Sequence, residues 1–243
     1  MIPTRKIFLF ILALCGLAGY LIAGEEEIAY SQKYVIFLNG SRAGKEIVKE
    51  KSSDKGDLVA ESENEIYITD GLETKRMAYT TRMVMKKKSL EIKSYVYQYL
   101  TGNTGDSYEM TLDGDQITRT LHRGGETSVV TATLKPDTVV LDFNVYYQYD
   151  YLVRKYDFQL KGRQLFSDFI PVIGNDVPIA LTYLGESNLP YARGNLPIKN
   201  FKIEYVGLRT GTFSVDSEDR LVRLVMPDEN LEVVREDVLP ANR

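Results

Sequence analysis

The chain has 243 residues, 44% hydrophobic and 26% charged, ordinary globular proportions that exclude disorder over most of its length. Its formal net charge is −4; Arg5 and Lys6 fall in the first 24 residues, so residues 25–243 carry 28 basic against 34 acidic side chains, net −6, and lack the basic face a nucleic-acid partner requires. One cysteine, Cys15, and one histidine, His122, exclude a Cys/His zinc site and an internal disulfide, and leave any Ser-His or Cys-His mechanism resting on His122 alone.

The first predicted element is an address. Arg5 and Lys6 precede an uncharged run over residues 7–24, which Glu25, Glu26 and Glu27 end abruptly. Residues 1–24 therefore read as a secretory signal peptide or an uncleaved signal-anchor helix. Ala23 and Gly24 favour removal, although Leu21 or Ile22 fits the outer small position of an A-x-A site poorly. A lipoprotein reading of "LALC" fits less well, because Leu14 is bulky and the apolar run continues past Cys15. Either way residues 25–243 are expected outside the cytoplasm, in the periplasm or cell envelope, secreted or held at the membrane through residues 7–24.

Residues 25–243 read as one exported domain of antiparallel strands. "KYVIFL" ends at Asn39 and Gly40, the pair a type I′ hairpin demands because both centres take positive φ. "SRAGKEIVKE" follows as its second strand. Asn39, Gly40 and Ser41 also spell a glycosylation sequon, but the turn explains them without a modification. In "MAYTTRMVMK", Met77, Tyr79, Thr81, Met83 and Met85 point one way, while Ala78, Thr80, Arg82, Val84 and Lys86 point the other, the period of a half-buried strand. The three lysines at 86–88 read as the solvated end of a hairpin. "YVYQYL" puts Tyr95, Tyr97 and Tyr99 on one face, and Tyr108, Met110 and Leu112 share another. Turns are marked by Asp70 and Gly71, by "GNTG" at 102–105, by Asp113 and Gly114, and by "RGGE" at 123–126.

"FNVYYQYDYLVRKYDF" breaks this rhythm. As a strand, Val145, Tyr147, Tyr149, Tyr151 and Val153 share a face. As a helix, Tyr147, Tyr151, Arg154 and Phe158 share a stripe. The low β-branched content after Val145 favours a helix near 145–159, capped by Asp142 or Asn144 and ended by Gly162. Tyr147, Tyr151 and Phe158 would then face the sheet, with Asp150, Arg154 and Asp157 at least partly exposed. Residues 186–197, with Pro190 and Pro197, read as a long irregular loop. Strands resume with "IKNFKIEYVG", "TGTFSV", "RLVRLVMP" and "LEVVRE", and the chain after Asp237 reads as a frayed tail.

Two of these patterns together resemble a kind of protein. "YVIFLNGSRAGKEIV" is a strand, an Asn-Gly turn and a second strand with Gly44 near its start; "GTFSVDSEDRLVRLVMPDENLEVVRED" is an acidic turn, a strand ending in Met226 and Pro227, and a final strand. The chain over residues 30–237 resembles uncharacterised bacterial periplasmic antiparallel-β families of unknown function. The resemblance implies an open barrel with a helix across one mouth, and no agreed catalytic residues. A weaker likeness is to lipoprotein-carrier half-barrels, which share the curved sheet and apolar hollow. The expected fold class is thus all-β and mainly antiparallel: a curved sheet, open barrel or half-barrel, one helix packed across it, and the N-terminal apolar helix.

The search for chemistry returns little. "GLRTGTF" lacks the lysine of a P-loop. "LDGDQ" offers two carboxylates where calcium takes about six or more oxygens, and reads as a turn. His122 reads as a strand-end surface residue. Asp150, Asp157 and Asp168 have helix-face or turn explanations, and no spacing marks a glycosidase pair. The expectation is a protein that is not an enzyme and takes no cofactor or metal. What remains is the adaptable Met and Tyr surface of the inward faces. Met77, Tyr79, Met83, Met85, Tyr95, Tyr97 and Tyr99, with Tyr147 and Tyr151, are the candidate residues for binding an apolar, lipid-like ligand such as an acyl chain. Side chains that merely fill a small barrel explain the same pattern. The alternative is a structural or interaction module of the envelope, with a packed core and a protein partner. A hollow interior favours the first reading and a filled one the second.

Overall fold

The alternating segments become fifteen strands in the computed structural model, which describes residues 28–53, 56–101, 105–135 and 138–240. The expected signal or anchor segment lies outside these residues. Strands β1 (Ile28–Leu38), β2 (Ser41–Ser52), β3 (Asp57–Asp70), β4 (Glu73–Lys86), β5 (Ile92–Tyr99), β6 (Ser107–Asp113), β7 (Gln116–Arg123) and β8 (Glu126–Thr133) form one meander. Then come β9 (Val139–Val140), the short helix α1 (Tyr149–Val153), and β10 (Arg163–Ile170), β11 (Asn175–Tyr191), β12 (Gly194–Tyr205), β13 (Arg209–Val215), β14 (Leu221–Met226) and β15 (Leu231–Arg235). All fifteen belong to one sheet, ordered β8-β7-β6-β5-β4-β3-β2-β1-β15-β14-β13-β12-β11-β10-β9. Neighbours are antiparallel except β9 and β10.

Turn chemistry sets the hairpins. Asn39 and Gly40 take φ of 51° and 75° between β1 and β2, the geometry expected of that pair. Gly44 in β2 answers a different need. A Cβ there would lie 2.2 Å from the Glu65 carbonyl oxygen of β3, so only glycine lets the two backbones approach this closely.

The ladder from Tyr34 opposite Arg235 to Leu38 opposite Leu231 joins β1 to β15. The first and last strands therefore sit mid-sheet, and β8 and β9 are its edges. Strand twist curls a sheet this wide on itself, and a side chain ties its two ends. Arg119 of β7 donates from Nε to the Pro171 carbonyl at 2.5 Å and from Nη2 to the Val172 carbonyl at 2.8 Å, in the turn after β10. The result is an open, barrel-like curve whose concave face carries the main core, including Tyr34, Tyr79, Met83, Met85, Phe201 and Phe213.

That concave space is filled by the chain itself. Val139, Val140, Leu141, Val145, Tyr146, Tyr147, Tyr149, Tyr151, Leu152, Val153 and Tyr156 are all buried in the main core. We call residues 139–156 the plug. Its helix is much shorter than the expected 145–159: only Tyr149–Val153 is α-helical. Several plug amides are bonded by side chains of the wall or plug instead of by a helical ladder, and Asn144 takes φ of 62°. Two placements expected of that helix also change. Asp150 is buried, not exposed, and Phe158 is 38% exposed, because the helix has ended before it. Tyr147 and Tyr151 are buried, Arg154 half-buried and Asp157 exposed, as read.

Residues 186–197 are not an irregular loop. They belong to a hairpin of β11 and β12 in which Asn188 opposes Pro197 and Pro190 opposes Asn195. Beyond Lys199 this ribbon has no third strand beside it, so the prolines remove no ladder bond that a neighbour needs. Leu189, Tyr191, Leu196 and Ile198 cover Val35, Phe37, Val222 and Val234 on the outer side of the sheet, a second small core. Val238 joins it, and Leu239 packs against it, so the expected frayed tail is docked to at least that point.

Candidate functional site

The interior polar groups gather where the plug meets the wall. Glu46 and Glu50 lie on β2 two turns of the pleat apart, with Val48 between them on the same buried face. Side chains at i, i+2 and i+4 of a strand share a face, so both carboxylates enter the barrel. Glu46 Oε2 accepts the N–H groups of Tyr146 and Tyr147, each at 3.1 Å. Glu50 accepts the Tyr151 hydroxyl at 2.6 Å on Oε1, and both N–H arms of Arg220 at 2.5 and 2.6 Å. Arg220 also reaches Asp150 Oδ2 at 3.3 Å and stacks 3.9 Å over the Tyr30 ring. Asp150 Oδ1 accepts the Leu221 N–H at 2.7 Å. The plug is thus bonded to β2 at Tyr146, Tyr147 and Tyr151, and to Arg220 and the start of β14 at Asp150.

Its entry is held the same way. Asp168 of β10 accepts the Leu141 N–H at 2.8 Å, and Gln148 accepts the Asp142 N–H at 2.5 Å. Asp142 Oδ2 accepts the hydroxyls of Tyr95, at 3.0 Å, and Tyr108. Buried backbone groups must be paired somewhere: Val145 and residues 149–152 donate to carbonyls of the segment itself, while Leu141, Tyr146 and Tyr147 find their acceptors on the barrel side chains Asp168 and Glu46.

Burial decides the protonation of most of these acids. It pushes Glu46 up to about 8, against the lowering effect of the Tyr146 and Tyr147 amides. It pushes Asp150 up to about 7 despite Arg220 and the Leu221 amide, and Asp142 up to about 6 despite the Tyr108 and Tyr95 hydroxyls. Asp168 is raised by burial as well. Glu50 goes the other way. Burial would raise it, but Arg220 and the Tyr151 hydroxyl outweigh burial and hold it below the ordinary carboxylate value.

Of the nine sequence-predicted residues, Tyr79, Met83, Met85, Tyr95 and Tyr97 are buried on the concave wall, and Met77 and Tyr99 are half-buried there. Tyr147 and Tyr151 come from the plug and meet each other edge-on at 6.0 Å. The structure does bring the two groups together: Tyr79 donates to the Asn144 carbonyl at 2.6 Å, and the Tyr147 hydroxyl lies 3.2 Å from that of Thr81. Tyr79, Tyr97 and Tyr108 stack ring on ring across β4, β5 and β6 at 4.7 and 4.8 Å. Tyr99 and Tyr108 also line a surface cavity of about 380 Å³ with Leu121 and Val172. Another, of about 320 Å³, opens beside Asn144, Tyr146 and Arg209.

Reasoning from sequence missed Glu46, Glu50 and Arg220, read Asp142 only as a candidate helix cap, and gave Asp150 and Asp168 helix-face or turn explanations. The signal for β2 was the alternation Glu46, Val48, Glu50, which is ambiguous because Ile47 marks the opposite face as equally apolar. His122 does sit at the surface, 3.0 Å from the Thr127 hydroxyl. Among the described residues no group of three or more His, Cys, Asp or Glu side chains is placed to hold a metal ion.

Fold and interior together define a class: an open, β-barrel-like antiparallel protein whose lumen is occupied by its own chain. A solved structure shares that fold. It is a β-barrel-like protein of a domain of unknown function, DUF1849, from Brucella abortus, with a TM-score of 0.60 and 10% sequence identity, covering 84% of this chain and 93% of that one. No family model matches the chain, and no curated protein matches it.

Proposed function

We propose that the protein is a non-enzymatic module of the bacterial cell envelope that works through its outer surface, by contact with a protein partner. The observation that carries this reading is the filled lumen. The residues that would line an acyl-chain site are already packed against Tyr146, Tyr147, Tyr151 and Leu152 of the plug. A rigid, side-chain-filled barrel is a scaffold. The β3–β4 hairpin offers a contact, because its end projects with Tyr67, Ile68 and Leu72 exposed. Tyr67 and Ile68 lie on opposite faces of β3, and Leu72 in the turn is the most exposed of the three, so the tip offers apolar side chains to a partner that grips it. The export reading of residues 1–24 supplies the compartment.

Photo-crosslinking in cells tests the proposal, with the reactive residue placed at position 72 and, as a control, at position 193 in the exposed turn between β11 and β12. A reproducible protein adduct from position 72 supports it. Absence of any protein adduct, together with lipid recovered from the purified protein, overturns it. One observation favours the lipid-like reading as second choice: the cavity beside Tyr99 and Tyr108, which is of a size to take a small apolar or aromatic molecule. Saturable uptake of a fluorescent fatty acid that Tyr99→Ala abolishes would establish it.

A further inference from the structure

The two edges of the sheet are finished differently. At one, β9 has two residues, both buried. At the other, β8 runs for 8 residues and is exposed at every position except Ala132, which is half-buried, so both of its faces meet solvent. The strap that closes the barrel, Arg119, sits on β7, one strand in from this edge. The register of β8 on β7 is unbroken from Arg123 opposite Glu126 to Gln116 opposite Thr133. Among the described residues no strand pairs with the other side of β8. Its stretch "TSVVTATL", 127–134, carries no charge and no proline, and the register holds no bulge. Charges, prolines and bulges are the devices that keep an exposed edge from pairing.

The backbone groups left over at this edge can be assigned. The Leu134 N–H donates to the Asp115 carbonyl, and antiparallel residues alternate between bonded and non-bonded pairs. Ser128, Val130 and Ala132 therefore bond inward to β7, and the N–H and C=O groups of Thr127, Val129, Thr131 and Thr133 point outward.

We propose that β8 is a strand-pairing site for a second copy of this chain, joined antiparallel about a two-fold axis at Val130. An axis perpendicular to the sheet keeps every side chain on its own face, so a residue meets only residues of the same parity. Centred on Val130, it sets Val130 against Val130, Val129 against Thr131, Ser128 against Ala132 and Thr127 against Thr133. Every outward group then finds a partner, about eight main-chain hydrogen bonds in all. The side-chain pairs are β-branched with β-branched or small with small, which suits cross-strand neighbours. The two Glu126 carboxylates go to opposite ends of the ribbon. Val129 and Val130, 60% and 53% exposed, gain apolar neighbours. A foreign strand meets no charge along 127–134 that would select it, whereas the identical strand fits by its own symmetry. One edge strand is a small interface of the weak, reversible class, and a covalent trap suits it.

Disulfide trapping in cells, on the full chain carrying Cys15→Ser, tests the pairing. Val130 and its copy form a non-bonded antiparallel pair with Cα atoms about 4.5 Å apart, within reach of a disulfide. Val129 and its copy are offset by two residues and lie roughly 8–9 Å apart, beyond that reach. After oxidation with copper–phenanthroline, Val130→Cys should give at least ~10-fold more covalent dimer than the similarly exposed Val129→Cys. Adding Thr131→Pro should cut the Val130→Cys dimer at least ~10-fold and leave the melting temperature of the purified chain unchanged, because proline is tolerated where an edge N–H has no partner. Thr131→Lys, which puts like charges beside the axis without touching the backbone, should give the same loss in case the proline chain does not fold. A Val130→Cys chain that stays monomeric, or that bonds to another protein instead, overturns the proposal. So do equal yields at 129 and 130, and so does a dimer that the substitutions at Thr131 leave intact.

Discussion

Arg220→Met is the substitution whose consequence follows most directly from the interior. The guanidinium bonds both Glu50 oxygens at 2.5 and 2.6 Å and lies 3.3 Å from Asp150. The side chains of Arg220, Glu50 and Asp150 are 12%, 4% and 2% exposed. Solvent can therefore take over little of what the arginine does. Removing one partner of a buried ion pair costs about 3–5 kcal/mol, because the charge left behind has no compensation. Here two carboxylates are left, although Asp150 keeps the Leu221 amide and Glu50 keeps the Tyr151 hydroxyl. We expect a loss of about 3–5 kcal/mol at pH 8 by urea denaturation, or a melting temperature roughly 6–20 °C lower for a domain of this size. The deficit should shrink toward pH 5, because both freed carboxyls then become protonated in the native state. Adding Glu50→Leu should restore part of the loss at pH 8, since an apolar replacement of the whole pair is often neutral or better. A deficit below about 1 kcal/mol, or one that is the same at pH 5 and pH 8, would refute the reasoning.

Tyr151→Ala should cost about 3–5 kcal/mol for a large buried aromatic. Tyr151→Phe should cost about 1.5–3 kcal/mol, because the hydroxyl donates to the charged Glu50; thermal melts of the pair separate ring from hydroxyl, and a silent Tyr151→Phe would mean that Glu50 does not need this donor. Gly44→Ala places a methyl 2.2 Å from the Glu65 carbonyl and 2.9 Å from Ile66 Cα, so a destabilisation of about 3 kcal/mol is expected from overpacking against backbone, and an unchanged melting temperature would contradict the close approach of β2 and β3. Wild-type stability should fall as pH rises from about 4.5 to 8. In that window the native protein holds protons on Glu46, Asp142 and Asp150 that the unfolded chain has released, so the unfolded state gains from higher pH. Glu50 opposes this only at the acid end, where its depressed native pKa makes stability fall as pH drops. Urea midpoints across pH 4–9 check the slope, and a maximum near pH 8 would contradict the assignment.

The strand framework was legible because it rests on local chemistry. Met77 to Met85 alternate as a half-buried strand must, and Asn39 with Gly40 can hardly be anything but a hairpin turn. The plug was not, because its conformation is decided by groups far away in the chain. Tyr147, Tyr151 and Phe158 have helical spacing, yet the amides of Tyr146 and Tyr147 are taken by Glu46, 100 and 101 residues distant, and the helix keeps only five residues. Asp150 looked like the polar face of a helix; the matching cation, Arg220, lies 70 residues on. Pro190 and Pro197 suggested a loop, and the structure accommodates them in a ribbon that has no strand beside it there. The seven strand candidates share the concave face, and the sequence did lead to the expectation of a helix across it, but no local pattern says that residues 139–156 cross it mostly without helix, with amides held by side chains of distant strands.

Native mass spectrometry of the protein isolated from its own membrane fraction tests the central claim, that the lumen belongs to the plug and the protein acts through its surface. The account predicts that, with protein partners dissociated, only the mass of the polypeptide is recovered, and that a fluorescent fatty acid shows no saturable binding. Recovery of a stoichiometric apolar molecule, lost when Tyr97 or Tyr147 is truncated to alanine in a chain that remains folded, would contradict it.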